Sequence, residues 1–331
     1  MTHDPSIDGV LIQWGERLFY PPNRIVKSHT PRLSGTSGRA ADIRSRIEAT
    51  VRRAPQVMIK VTGGGRGMAA IAAHFRYISK NGRLDLEDNR GVVERGKDSL
   101  HELERQWRFG GAYIGDVGHR HEAFNVMLSM PRGTDPLIVQ RAAREFAKIE
   151  FADHRYVMVL HDHQANPHVH LSVKVESKHG QRLNPRKADL QRWQETFAER
   201  LREWGVDADA TRQATRGQHR SYPTLKRMKA QDKGALPLPG TTTKSGERFM
   251  RSHKQALESW LRIMAALTQS AEPADRKLAG AIKQYVNEMP FAIDFARSVR
   301  RQASGQRELS GMREVMMPKI ERSGPGRELE R

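Results

Sequence analysis

Cysteine is absent from the 331 residues, which excludes disulfides and thiolate metal sites and points to a reducing, cytoplasmic setting. Hydrophobic residues make up only 37% and aromatics 6%, and the mean hydropathy is -0.71. A sizeable core is therefore possible, but not along the full length. No apolar run approaches a membrane span, and the start, MTHDPSIDGV, lacks the basic region and apolar run of a secretory signal. The reading is a soluble chain with no membrane insertion. Acidic residues are also scarce: 38 against 57 Lys and Arg, for a net charge of +19. Such an excess favours a polyanionic partner, with nucleic acid first among them. Membrane headgroups are a weaker fit, because no basic amphipathic stretch carries bulky apolar anchors.

The length allows two domains, or one with long extensions. Residues 1–54 read as a partly flexible arm, in which GVLIQWGERLFY suggests a short strand or hairpin and RAADIRSRIEATVRRAP a short basic helix. From Gln56 the pattern becomes regular. QVMIKVT alternates like a strand, GGGRG turns the chain, and MAAIAAHFRYISK has a helical period stopped by Asn81-Gly82. SLHELERQWRFG reads as a helix, HEAFNVMLSM as a strand, and PRGTD as a turn capping the helix PLIVQRAAREFAKIEF. RYVMVLHDH and PHVHLSVKVES form two strands joined by QANP, and a long basic helix ends at Gly205. The alternation predicts an α+β domain over residues 55–222, a mainly antiparallel sheet flanked by helices. Residues 223–248 read as a Pro/Gly/Thr-rich linker, 249–302 as a helical extension, and 303–331 as a basic tail without a fold of its own.

The stretch LHDHQANPHVHLSV (Leu160–Val173) holds four histidines. Residues two apart on a strand share a face, so His168 and His170 project together. The turn folds the preceding strand back, which brings His161 opposite them. Three imidazoles then converge on a rigid sheet, the arrangement of a three-histidine metal site. Such a site can hold zinc with a water, or Mg²⁺ or Mn²⁺ with open positions for phosphate oxygens. A nucleotide hydrolase of the histidine-triad type needs a further histidine two residues on, where this chain has Ser172.

Phosphoryl chemistry also needs a nucleophile. On the helix from Met68, Ile71, Phe75 and Ile78 form the core seam, and Tyr77 falls nearly opposite with Arg66, Ala70, Ala73 and Lys80. A tyrosine off the seam, among alanines and bases, is accessible to a large anion. The GGGRG turn lacks the Lys-Ser/Thr of a P-loop; it reads as a tight strand-to-helix turn whose N–H groups are in reach of phosphate.

HDHQANPHVHL resembles the histidine motif of conjugative relaxases, the HUH-type nicking enzymes of plasmid transfer, in particular their mobilisation and T-DNA border-nicking branch. VTGGG with HFRYISKNGRL, then LSMPRGTD, the histidine hairpin, LNPRK and the helix ending near TRQATRG follow in the family's order. The resemblance covers about Gln56 to Gly217. It implies an antiparallel sheet flanked by helices, Tyr77 as catalytic tyrosine, His161, His168 and His170 as ligands of a divalent metal (Mg²⁺ or Mn²⁺ before Zn²⁺), and Thr134, with Ser129 as alternative, as the hydroxyl near the cut. The family usually has an aspartate two residues after the first histidine; here it is His163, which can itself take a proton near neutral pH.

The activity so implied is site-specific nicking and rejoining of single-stranded DNA at an origin of transfer through a 5′-phosphotyrosyl intermediate. Arg66, Lys80, Arg83, Arg186 and Lys187 are the candidate phosphate contacts. Accessory nicking proteins and a secretion coupling protein are the further partners implied, and the protein would act in a bacterial cytoplasm or travel with the DNA. Two alternatives stand beside it: a relaxase fold that binds DNA without cutting, and a zinc hydrolase of small substrates. In the C-terminal extension, Trp260, Leu261, Met264 and Leu267 lie at helical spacing, which reads as a packing seam before a partner site.

Overall fold

The computed structural model describes residues 5–20, 35–218, 220–221, 242–243 and 246–300. In chain order the elements are α1 (Pro5–Phe19), α2 (Thr36–Val51), β1 (Met58–Gly65), α3 (Met68–Ile78), β2 (Leu86–Asp88), β3 (Val93–Glu94), α4 (Lys97–Phe109), β4 (Ala123–Ser129), α5 (Pro136–Glu150), β5 (His154–His161), β6 (His168–Ser177), α6 (Lys187–Glu203), β7 (Arg220–Ser221), β8 (Thr242–Thr243), α7 (Glu247–Thr268) and α8 (Pro273–Asn287). A helical stretch over residues 290–300 follows. The class is α+β, as the alternation of periods predicts.

The main sheet has six strands in the order β1-β4-β6-β5-β2-β3, and every pairing in it is antiparallel. β5 and β6 are thus its central strands, and their side chains alternate between two differently covered faces. Tyr156, Met158, Val169, Leu171 and Val173 turn to one face and meet Val139, Phe146, Trp193 and Phe197 of α5 and α6. Edge-to-face ring pairs fill this layer, with Phe151 and Trp193 at 5.1 Å between centroids. Asp135 caps α5 by accepting the amide of Leu137 at 2.8 Å, and Pro136 occupies the first turn.

The other face is only partly covered. Met68, Ile71, Phe75 and Ile78 of α3 pack with Leu103 and Trp107 of α4 over Val157 and Val159. Toward β4 and β1 that face is more open: Met58 and Lys60 are exposed, and Asn125 and Met127 are half-buried. The charged stretch after α3 contributes what the periodicity does not show. β2 and β3 form a short hairpin that extends the sheet beside β5. Strands this short carry no readable alternation.

The N-terminal segment departs from its reading. GVLIQWGERLFY belongs to helix α1, not to a strand or hairpin. Ile7, Leu11 and Leu18 are four and seven residues apart and give it one buried stripe. With Ile43 and Ile47 of α2, that stripe packs against Trp260, Ile263 and Leu267 of α7 and Leu278 and Ile282 of α8. The two ends of the chain therefore share one core. Trp260 and Leu267 are buried in it, Met264 is half-buried and Leu261 is exposed, so the packing stripe runs through Ile263, one residue off the read seam. The linker read at 223–248 lies outside the described residues except for 242–243 and 246–248, and the tail at 303–331 lies outside them entirely.

Two sets of polar bonds hold this helical module together and to the sheet domain. Arg44 of α2 bonds Asp8 of α1 at 2.8 Å and Asp275 of α8 at 2.9 and 3.2 Å. Residues 207–218 strap the module to the sheet domain: Asp209 pairs with Val57, the Thr215 hydroxyl donates to Leu18 O at 2.7 Å, and the Trp260 indole donates to Thr215 O at 2.7 Å. Both aspartates around Arg44 are buried. Removing the arginine strands two buried carboxylates, a loss of about 3–5 kcal/mol. Arg44→Met is expected to lower the unfolding midpoint in denaturant by a corresponding amount, and an unchanged midpoint would show the triad to be dispensable.

Candidate active site

The histidine hairpin forms in the register that its spacing predicts. His161 faces His168 and Val159 faces His170 across β5 and β6, so the three imidazoles share the partly covered face. Their ring centroids lie 5.0 Å (His161–His168), 4.7 Å (His161–His170) and 5.1 Å (His168–His170) apart. One ring nitrogen from each falls within 4.8 Å of the others, and all three residues are buried.

The hydrogen bonds around these rings decide what the free nitrogens can do. His161 Nε2 lies 2.7 Å from Ile78 O, and His168 Nδ1 lies 2.9 Å from Asn166 O. A carbonyl only accepts, so each of these nitrogens carries the proton and leaves the other nitrogen with a lone pair. His170 has a buried Nδ1 with no partner. Burial, and then the neighbouring imidazoles, push His170 down to about 3 and lower His161 as well. Three buried imidazoles with backbone acceptors behind two of them suit a divalent cation. They fit a metal better than they fit a salt-bridged or solvated role, since no carboxylate belongs to the cluster.

Tyr77 projects from the last turn of α3 with 68% of its surface exposed. Its ring centroid is 6.2 Å from that of His170, at 78°. The reading of the helix face is therefore matched by the fold: Met68, Ile71, Ala72, Phe75 and Ile78 are buried, and Tyr77 stands off that seam. The residue next to Tyr77, Ile78, supplies the carbonyl that His161 engages. Helix α3 and the histidine hairpin are thus fastened together at one point.

His74 is a neighbour that the sequence reading missed. It lies one turn before Tyr77, stacks on it at 6.2 Å and 29°, and is 6.3 Å from the His170 ring. Its Nε2 is buried without a partner, and burial pulls its pKa to about 4. The three-residue spacing of His74 and Tyr77 on a recognised helix was the available signal.

The remaining candidates divide. His163 is exposed just past β5, with its ring 5.1 Å from His161. Asp162 is exposed too. Ser129 pairs with His168 across β4 and β6 and is buried, with its hydroxyl 3.3 Å from Pro167 O. Thr134 sits farther along, in the turn before α5, where its hydroxyl donates to Pro131 O at 3.0 Å. Ser129 is therefore the hydroxyl nearer the histidines. Lys80 and Arg83 are exposed in the turn leaving α3, and the charge of Lys80 contributes to the lowering of His161. Arg66 is exposed at the opposite end of that helix.

Arg186 and Lys187 are not brought to this site. They begin α6, which packs on the opposite face of the sheet, and the chain reaches it from the end of β6 remote from His168. The GGGRG reading also changes. The first amides of α3 are already engaged, Met68 N with Gly115 O at 2.8 Å and Ala69 N with Asp116 O at 3.2 Å, so they are not offered to a phosphate.

Two outcomes follow. His161→Ala, His168→Ala and His170→Ala are each expected to weaken Mn²⁺ binding at least tenfold in calorimetric titration, whereas His163→Ala changes it by less than threefold. Because His170 and His74 resist protonation in the fold, the unfolded chain takes up protons first as pH falls below about 6.5, and metal-free stability declines from there toward pH 3–4. Denaturant unfolding in chelator across that range checks the slope, which His170→Gln should flatten.

Residues 77–206 match the family model described as Relaxase: MobA/VirD2-like, nuclease domain. The matched stretch begins at Tyr77 itself, takes in the histidine hairpin and ends just past α6. No curated protein matches the chain.

Proposed function

The chain carries a nuclease domain of the relaxase family, and we propose that it nicks and rejoins single-stranded DNA at an origin of transfer with Tyr77 as nucleophile. The observation that carries this reading is the exposed Tyr77 ring standing 6.2 Å from His170 of the buried histidine cluster. A tyrosine so placed can reach a phosphate docked at the three histidines without moving its helix.

The Tyr77 oxygen attacks the scissile phosphorus, and the 3′-hydroxyl leaves. No water is consumed. The phosphodiester becomes a 5′-phosphotyrosyl ester, and the reverse attack by a 3′-hydroxyl restores the strand. His161, His168 and His170 would hold a divalent cation, which when bound would supply Lewis-acid polarisation of a phosphate oxygen. Three imidazoles without a carboxylate favour Mn²⁺ over Mg²⁺ as that cation. His163 is the candidate acceptor for the tyrosine proton, and His74 holds the Tyr77 ring from the side. Arg66, Lys80 and Arg83 are the cations placed to hold flanking phosphates. Ser129 takes the place next to the cut that the resemblance first gave to Thr134.

In this reading the protein starts the conjugative transfer of a plasmid or other mobile element from the bacterial cytoplasm, with accessory nicking proteins and a secretion coupling protein as partners. No helix among the described residues is long and apolar enough to cross a membrane. His163, in the position of the family's aspartate, favours one competing reading: a relaxase fold that binds DNA without cutting it.

Covalent capture separates the two. Protein incubated with Mn²⁺ and a complex pool of single-stranded DNA, then denatured, is expected to give a DNA-shifted band that disappears with Tyr77→Phe and with chelator. No shifted band, from protein that still binds both the metal and the pool, would assign the chain to the silent binders.

A further inference from the structure

Phe, Tyr and Trp rings with more than 60% of their surface exposed are rare among the described residues. They are Tyr77 (68%), Phe109 (63%) and Tyr113 (66%). Each is costly to leave in water, and Phe109 has no polar atom to offset it. Their placement relates them. Tyr77 is at the C-terminal end of α3. Phe109 ends α4 and Tyr113 follows in the loop that crosses to β4 beside the other end of α3.

That loop is built onto α3. Its Gly115 and Asp116 carbonyls accept the first two helix amides, in place of a side-chain cap. The approach is close enough that a Cβ at Gly67 would fall 2.4 Å from Asp116 O, and one at Gly118 2.3 Å from Arg66 O. Arg108 fixes the loop from α4 through Asp116 at 2.6 Å. The rings of Phe109 and Tyr113 lie 5.8 Å apart at 40°. So the nucleophile and this aromatic pair sit at the two ends of one rigid rod, 11 residues long and hence about 16 Å.

Between them the exposed side of α3 is smooth. Ala69, Ala70 and Ala73 are exposed, with Arg66 at the far end. Beside Phe109 a cavity of about 500 Å³ is lined by Asp88, Asn89, Arg90, Arg105 and Arg155, with Arg90 bonded to Asp88 and Arg105 to Glu102. Arg155 bonds the Gln106 carbonyl there, not a carboxylate. Exposed rings, nearby guanidinium groups and a net charge of +19 match a flexible polyanion with π-faces, a single-stranded nucleic acid.

We propose that Phe109 and Tyr113 form a stacking platform for bases of the single strand a few nucleotides from the phosphate held at Tyr77. The platform rests on the reading of Tyr77 and the histidines as a DNA-nicking site, and it extends that site along α3 to a second grip. The strand leaves the histidines, follows the alanine side of α3 past Arg66, and stacks at the far end with its phosphates toward Arg155, since Arg105 is already held by Glu102. Stacking reads no sequence, so this grip contributes affinity and register, while base choice stays near the cut.

The test uses the full chain in chelator, so that no cutting occurs, with fluorescein-labelled oligothymidine of about 15 nucleotides, near the upper site size of such grooves. Phe109→Ala with Tyr113→Ala is expected to weaken binding roughly 5- to 150-fold, the range of a single lost base stack. Phe109→Trp with Tyr113→Trp should bind within about twofold of the parent. Both pairs are exposed, and equal unfolding midpoints confirm intact folds. An alanine pair that binds like the parent overturns the platform and leaves the rings to a protein partner. Covalent capture on the same proteins keeps the two ideas apart. A parent that forms the tyrosyl adduct while the alanine pair keeps full affinity retains nicking and removes the platform. No adduct, with a clear affinity loss in the alanine pair, does the reverse.

Discussion

The site depends on one bond, from the His161 Nε2–H to the carbonyl of Ile78. It fixes which nitrogen of His161 stays unprotonated, and it does so with the residue that follows Tyr77. Helix α3 is otherwise held to the sheet by apolar contacts, which are strong but tolerate sliding by fractions of a residue. A directional bond at the helix end removes that freedom. The C-terminal carbonyls of a helix have no intrahelical partner, so an imidazole N–H is a natural occupant. Both groups are buried, and neither finds water if the bond is lost.

Much of this arrangement was legible in the sequence, for reasons tied to particular residues. The hairpin was legible because a period of two leaves no choice once QANP turns the chain: His168 and His170 must share a face, and His161 must come back toward it. The exposure of Tyr77 was legible because Met68, Ile71, Phe75 and Ile78 define one helical seam. What stayed hidden depends on chain crossings. The capping of α3 by Gly115 and Asp116 joins segments with no common pattern, so the glycine turn looked available to phosphate. Arg186 and Lys187 open a basic helix, but only the path from β6 to α6 shows that they lie on the other side of the sheet. β2 and β3 are too short to carry a period.

The N-terminal segment failed for a different reason. The stretch GVLIQWGERLFY starts at Gly9 and so omits Ile7, which truncates the stripe that Leu11 and Leu18 continue. Even with the right helix, its partners could not be named, because α7 and α8 stand at the other end of the chain. Binary patterning shows that a face must be covered; it does not say by what. The strap at 207–218 is similar, being held by main-chain carbonyls and by Thr215 and Asp209 rather than by any repeated spacing.

The shared core of the chain ends has a consequence for synthesis. α1 and α2 leave the ribosome well before the faces of α7 and α8 that cover Ile7, Leu11, Ile43 and Ile47 are made. At about 5–20 residues per second the first helices wait on the order of ten seconds for their partners, while the sheet between them has all its strands and can close. During that interval the nascent chain holds a finished sheet domain beside an uncovered apolar stripe. Chaperone demand during that interval should therefore concentrate on α1 and α2.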